Sequence, residues 1–413
     1  MATGYKRKRG KNSWQLEVSA GYGPNGKRKK YTRTVRIEGK NQERQADILL
    51  AEFITEVEKG LYIGKTKLTF KEYTERWLKN YAEPELSPNT LYNHKRRLET
   101  RILPTLGHLK LTDIKPINLV EFYREQMDSP RLDGKEGTLS PRTVHHMHRL
   151  IHEMLETAVQ WELIISNPAS KVKPPKVPKN QPESYDEQEI KVVLEVLKKE
   201  DLKHQVMVLL VLTSGGRRSE IMGLDWQNVD FENNIIYIEE ALLYNPENGC
   251  YTKPPKNDSS LRQIAMPEAV MSLLKAYKAE QNEHRLSLGD KWQGSTKVFT
   301  TWEGKDCYPG WASHWWKRFL ERNNLPPLRL HGLRHTAATL LIAEGLPVVN
   351  VAKRLGHSRT STTTDIYAMA LKSRDNQAAD TMEFIITGKK PKKTKKATGK
   401  GKNIDDKLTT QIK

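Results

Sequence analysis

The run Lys171-Val-Lys-Pro-Pro-Lys-Val-Pro-Lys-Asn-Gln-Pro182 constrains this chain more than any other stretch. Its prolines fix φ, remove backbone donors and push each preceding residue out of the helical region. It can therefore join neither a helix nor a central strand, and is expected to be an extended linker. A linker in mid-chain requires the sequence on each side to bury a core of its own. The 413 residues are enough for two or three such bodies. The expected parts are a small domain at 1–62, a helical domain at 65–170, the linker at 171–184, a larger domain at 185–388 and a tail at 389–413.

Residues 5–37 read as a small sheet. Ser13-Trp-Gln-Leu-Glu-Val-Ser19 alternates apolar and polar, Gly21-Tyr-Gly-Pro-Asn-Gly26 supplies a turn, and Lys30-Tyr-Thr-Arg-Thr-Val-Arg-Ile37 alternates again. Basic residues flank the strands, among them Lys6, Arg7, Lys29 and Arg33. A helix with a broad apolar face follows, built on Ala46, Leu49, Phe53 and Val57. Gly60 to Lys67 reads as a hinge.

The next segment reads as all helix. Phe70, Tyr73, Trp77, Leu78 and Tyr81 keep helical spacing. Two later helices open on one pattern, Leu86-Ser-Pro-Asn-Thr90 and Leu139-Ser-Pro-Arg-Thr143. In each, the serine is placed to cap free amides, the proline takes the first helical position, and the leucine is placed to staple to Leu91 or Val144. Their basic faces include Arg96, Arg97 and Arg142. His148 and His152 stand at i,i+4, but no cysteine or carboxylate at matching spacing completes a metal set. An exposed or DNA-facing histidine row is expected there instead.

After the linker the pattern is mixed and mainly helical. Glu187–Leu197 and His204–Leu212 are expected helices, and Ser214-Gly-Gly216 is a turn that enters another. Asn234 to Glu239 reads as a strand, Tyr251 to Pro267 as a hairpin with a lysine-rich tip, and Pro267 as the start of a helix to about Gln281. Ser373 to Ile386 reads as a last amphipathic helix. The tail from Lys389 is nearly pure charge and is expected to be disordered. The fold class expected is mainly α with small β-sheets, an α+β chain.

The net charge of +19 is spread along the sequence and calls for a polyanion, with double-stranded nucleic acid the expected partner. No apolar run reaches membrane-span length, and the charged start lacks the apolar stretch of a signal peptide, so no membrane partner is expected. The two cysteines, Cys250 and Cys307, have no metal-ligand spacing and suggest no disulfide framework, which fits a reducing cytoplasm.

The densest chemistry lies between His331 and Tyr367. Phosphoryl transfer on a polyanion needs a nucleophile, cations on the non-bridging oxygens and a proton for the leaving oxygen. Arginine suits the second role, since its planar fork binds two oxygens and keeps its charge. Two arginines stand in telling places: Arg217, just after Gly215-Gly216 at a helix start, and Arg334 in His331-Gly-Leu-Arg334. Glu220, three residues after Arg217, reads as support for the turn. His331 and His335 are spaced like a zinc-binding pair, but Gly332 stands where the catalytic glutamate of such a motif belongs.

These boxes resemble those of the tyrosine recombinases, the phage and transposon integrase family. Thr213-Ser-Gly-Gly-Arg217-Arg-Ser-Glu220 is similar to the first arginine box, with Gly216 where the family usually has a larger apolar residue. His331-Gly-Leu-Arg334-His-Thr336 is similar to the second. Leu355-Gly-His357-Ser358 is followed, ten residues after the histidine, by Tyr367. The family's hairpin lysine maps best onto Lys256, with Lys253 as the alternative. The resemblance implies a site-specific recombinase with an arm-type DNA-binding domain, a core-binding domain and a catalytic domain. It implies that Tyr367 attacks the scissile phosphate to form a 3′-phosphotyrosine, that Arg217 and Arg334 hold the phosphate oxygens, and that Lys256 protonates the leaving 5′-oxygen. His331 would assist the proton transfer at Tyr367 and His357 would bond the phosphate. It implies no metal or other cofactor, a tetramer on DNA, and an accessory directionality factor. Lys6, Arg7, Lys29, Arg33, Arg96, Arg97, Arg142 and Lys173 are the expected DNA contacts. Two other readings remain: a regulator without catalysis, since residues 349–363 resemble a helix-turn-helix, and a relaxing enzyme like the type IB topoisomerases.

Overall fold

A computed structural model describes residues 2–22, 26–59, 62, 67–178, 183–254, 261–357, 382 and 385–388. Lys256, Tyr367, nearly all of the helix expected over 373–386 and the basic tail lie outside the described residues, as does most of the expected hinge. The chain divides into two compact units, one over 1–180 with 245–247 and one over 181–244 with 248–413.

The first unit begins with an antiparallel sheet, β1 (Thr3–Gly10), β2 (Ser13–Tyr22) and β3 (Arg28–Arg36), with β2 in the centre. Helix α1 (Gln42–Glu58) packs on one face, over Leu16, Val18, Phe53 and Val57. The sequence pattern shows only β2 and β3. It marks β1 merely as a basic flank, because the helix-side positions of that strand are Gly4, Lys6 and Lys8 and no apolar alternation appears. Lys6 lies over the Trp14 ring at 5.7 Å and Lys8 at 5.6 Å, so aliphatic stems serve where apolar residues would be expected.

The helical part runs α2 (Phe70–Trp77), α3 (Glu83–Glu85), α4 (Pro88–Arg97), α5 (Leu103–Leu106), α6 (Pro116–Asp128) and α7 (Pro141–Gln160). Its core holds Phe70, Tyr73, Trp77 and Phe122 with the apolar stripe of α7. Wide π-helical turns, Leu78–Ala82 and Leu98–Ile102, lead directly into α3 and α5. Each precedes a proline, Pro84 or Pro104, that would clash with an ordinary α-turn, and widening the turn lets the helix continue. The two serine-proline openings differ in detail. Ser140 accepts the Thr143 amide at 3.3 Å, whereas Ser87 meets only the Thr90 hydroxyl, at 2.9 Å. The histidine row is also exposed only in part. His148 is buried and bonds the Tyr123 hydroxyl at 3.0 Å, and His152 bonds Ser170 at 3.1 Å.

The second unit is built around α9 (Leu202–Ser214), which follows α8 (Glu187–Leu197). Val206, Met207, Val208, Leu210 and Val211 of α9 are all buried, as a helix apolar on most of its sides must be. After α10 (Arg218–Met222) come β4 (Val229–Asp230), β5 (Ile235–Ile238), β6 (Ala241–Asn245), β7 (Gly249–Lys253) and β8 (Arg262–Ala265). The stretch read as one hairpin is divided between two sheets, since β7 pairs with β6 and β8 with β5. Helix α11 (Glu268–Leu288) starts after Pro267 and runs a further two turns beyond the expected end. α12 (Gly310–Arg322), α13 (Gly332–Ala343) and α14 (Val348–Leu355) complete the unit. No described helix is long and apolar enough to cross a membrane.

Candidate active site

The site grows from the end of α9. Gly215 adopts φ 63°, a conformation that favours glycine, and a Cβ there would lie 2.4 Å from Leu355 Cδ2. The turn leads the chain into an extended Arg217 just ahead of α10. The Arg217 amide donates to Glu220 Oε2 at 2.9 Å and its Nη1 to Glu220 Oε1 at 2.7 Å. Its Nη2 donates to the Gly356 carbonyl at 3.1 Å. Glu220 therefore holds the turn and the guanidinium together. The Arg217 side chain stays 39% exposed.

Arg334 arrives from α13. It is almost wholly buried, and its Nη1 donates to the Gly215 carbonyl. That bond joins the two arginine boxes across 119 residues of sequence. His331 stands just before α13 and His335 one turn on, their rings perpendicular with centroids 5.0 Å apart. α14 ends at Gly356 with φ 68°, and His357 follows, its amide bonded to the Ala352 carbonyl at 3.0 Å.

Two further arginines hold this arrangement. Arg354 donates to the Thr213 carbonyl at 3.2 and 2.8 Å and to the Ala265 carbonyl at 3.0 Å, tying α14 to the end of α9 and to β8. Arg262 opens β8; its Nη2 meets Glu220 Oε2 at 2.8 Å and its Nε the Arg354 carbonyl at 2.8 Å. Sequence reasoning missed Arg262. Its only signal was its place directly after the lysine-bearing turn, in Leu261-Arg-Gln-Ile264.

The electrostatics follow from that crowding. Burial pushes the Glu220 carboxyl up, but Arg262 and Arg217 outweigh it, so its pKa is lowered and it stays ionised. Burial, then Arg334, Arg217 and Arg218, lower the His331 pKa. His335 falls to about 4 through burial, His331 and Arg334. His357 also falls to about 4, through burial and then Arg334 and Arg217. At neutral pH the imidazoles are uncharged: each keeps a nitrogen able to accept a proton and another able to donate a hydrogen bond. Among the described residues, no three of His, Cys, Asp and Glu gather in a way that would hold a metal ion.

The structure brings Arg217, Arg334, His331 and His357 into one neighbourhood. Lys256 and Tyr367 lie outside the described residues. The other expected contacts separate by face. Lys6 and Arg33 point to α1: Lys6 pairs with Asp47 at 2.5 Å and Arg33 with Glu56. Arg33 also lies over the Phe53 and Tyr62 rings. Both are paired inside the small domain. Arg7 is on the open face, with Tyr5, Arg9, Lys30 and Arg36, and Lys29 is exposed near the start of β3. Arg96 and Arg97 line a cleft of about 250 Å³ with Arg101, Arg131, Ser140 and Thr143, while Arg142 and Lys173 are exposed.

Comparison with known proteins points to one family and one fold. Residues 183–374 match the model of the phage integrase family, and residues 69–127 that of the phage integrase N-terminal SAM-like domain. A tyrosine recombinase XerC-like protein of Caldanaerobacter subterraneus subsp. tengcongensis is 25% identical over 399 residues, covering 92% of this chain and 98% of its own. The transposase from transposon Tn916 of Enterococcus faecalis is 26% identical over 344 residues, covering 78% of this chain and 80% of its own. Among solved structures, the Tn1549 transposon integrase in complex with transposon right end DNA superposes with a TM-score of 0.62 at 20% identity, covering 76% of this chain and all of that one. A lambda integrase dimer bound to a core site gives 0.53 at 15% identity, covering 88% of this chain and 94% of that one.

Proposed function

The chain belongs to the phage integrase family, and from that premise we propose that its site cuts and rejoins DNA through a covalent bond to Tyr367. It is a site-specific DNA recombinase. The Tyr367 oxygen attacks the scissile phosphorus, the bond to the 5′-oxygen breaks, and a 3′-phosphotyrosine forms. His331, neutral at working pH, takes the tyrosine proton, and Lys256 delivers a proton to the departing 5′-oxygen. Arg217 and Arg334 carry the charge that builds on the non-bridging oxygens, and His357 donates a hydrogen bond to one of them. A phosphate entering beside His357 would raise its pKa, reversing part of the depression imposed by the arginines. Because one phosphoester replaces another, attack by the 5′-hydroxyl of a partner strand restores the backbone without ATP.

The observation that supports this reading is the Arg334 bond to the Gly215 carbonyl, which joins two distant arginine boxes. The regulator reading fits less well. Of residues 349–363, on which that reading rests, 349–357 are described, and there Arg354 anchors α14 to carbonyls at the ends of α9 and β8.

Exchange between two duplexes needs four strand cuts, hence four protomers on DNA. The open face of the N-terminal sheet, with Arg7, Arg9, Lys30 and Arg36, reads arm-type sites, since a β-ribbon fits the major groove. Arg96, Arg97, Arg142 and Lys173 lie along the core-site backbone. The reaction integrates and excises a mobile element, with an accessory factor setting direction. Incubation with a nicked suicide duplex tests the chemistry. The wild-type protein should form an adduct that survives denaturant and Tyr367→Phe should form none; an adduct in the variant reassigns the nucleophile.

A further inference from the structure

Arg217 and Arg262 share one carboxylate. Glu220 Oε1 receives Arg217 Nη1 at 2.7 Å, and Oε2 receives both the Arg217 amide at 2.9 Å and Arg262 Nη2 at 2.8 Å. The far sides of the two guanidiniums meet the same stretch of chain: Arg262 Nε bonds the Arg354 carbonyl at 2.8 Å, and Arg217 Nη2 bonds the Gly356 carbonyl at 3.1 Å. The result is a closed circuit through Arg217, Glu220, Arg262 and residues 354–356. The two arginines differ in access. The Arg262 side chain is 7% exposed and that of Arg217 39%. Gly356 leaves room for the buried fork, since a Cβ there would lie 2.9 Å from Arg262 Nη1.

Charge gives the circuit its purpose. Glu220 paired with Arg217 alone would cancel the charge that a phosphate clamp needs. With two guanidiniums on one carboxylate, a net positive charge remains on the set, and Arg217 is its more exposed member.

We infer that Arg262 is a positioning residue for strand transfer: through Glu220 and the Arg354 carbonyl it sets where the Arg217 fork meets the scissile phosphate. The inference rests on the reading of Arg217 as a phosphate clamp. Arg262 need not touch the DNA to act in this way.

The full-length protein can be tested on a duplex bearing either the natural phosphodiester or a methylphosphonate at the scissile position. The methylphosphonate lacks the charged oxygen that Arg217 neutralises, so misplacing Arg217 should matter little on it. Arg262→Lys keeps the charge, but a single ammonium replaces the fork that spans Glu220 and the Arg354 carbonyl. Its adduct formation should fall about 10- to 100-fold on the phosphodiester and remain close to wild type on the methylphosphonate. Arg217→Ala should shift the ratio of the two rates in the same direction and further. The ratio within one preparation does not depend on the folded fraction, so loss of folding cannot imitate the result. If Arg262→Lys loses both activities equally while Arg217→Ala shifts the ratio, the positioning role is overturned and the clamp stands. A wild-type ratio in Arg262→Lys with a shifted ratio in Arg262→Gln would assign the effect to charge alone and also overturn it. An unshifted ratio in Arg217→Ala removes the clamp and the inference together.

Discussion

The histidines of the candidate site are poised by what surrounds them. His335 and His357 titrate near 4 because burial and the neighbouring cations disfavour a charged ring. In the unfolded chain the same imidazoles titrate near 6.5. Between these values the unfolded chain binds protons that the folded chain refuses. Stability should therefore fall as pH drops from about 6.5 toward 4, and these rings contribute no pH dependence above that window. Urea unfolding at a series of pH values checks this, and a flat midpoint across the window would contradict it. The arginine boxes are legible in the sequence because Gly215, Arg217, Glu220 and Arg334 lie in short motifs whose local geometry is the motif itself. Arg262 is not legible there. Its partners are 42 and 92 residues away, and the pairing of β8 with β5 that aims it leaves no mark in the sequence.

At the scale of elements, capping explains why two copies of one motif are not equivalent. Ser140 satisfies the Thr143 amide, while Ser87 spends its hydroxyl on Thr90. Ser140→Ala should cost about 1 kcal/mol of stability, and Ser87→Ala distinctly less. Chemical denaturation of the two variants decides between this and equal losses, which would mean that the serines serve through something other than the amide. Helices are readable wherever an apolar stripe or a proline start marks them, as at α2, α7 and α8. The π-helical turns before Pro84 and Pro104 are not, since a proline inside a helical pattern argues locally for a break. Packing of Trp77, Leu98 and Ile102 into the core overrides that argument. β1 escapes notice for a related reason: lysine stems do the covering that the eye expects of valine or isoleucine.

Over the whole molecule, the linker read from sequence calls for cores on both sides of it, and the compact units divide at residues 180 and 181. The positive charge announces a polyanion but does not say which cations face it. In the N-terminal sheet the register does so, sending Lys6 and Arg33 toward α1 and Arg7, Arg9 and Arg36 to the open side. Arg7→Ala should weaken arm-site binding and flatten its dependence on salt, by about 0.9 in the logarithmic slope for each phosphate that Arg7 neutralises. Arg33→Ala should instead lower the melting temperature, through loss of Glu56 and the Phe53 and Tyr62 rings. Calorimetry and a salt titration on both variants separate the two, and a reversed pattern would exchange the faces. Because Arg7, Arg9 and Arg36 bond nothing on α1 among the described residues, the outward positions can be randomised as a set while the helix-side charges are kept. Selection for new attachment sequences could then act on that face alone, leaving the cutting chemistry in the other unit untouched.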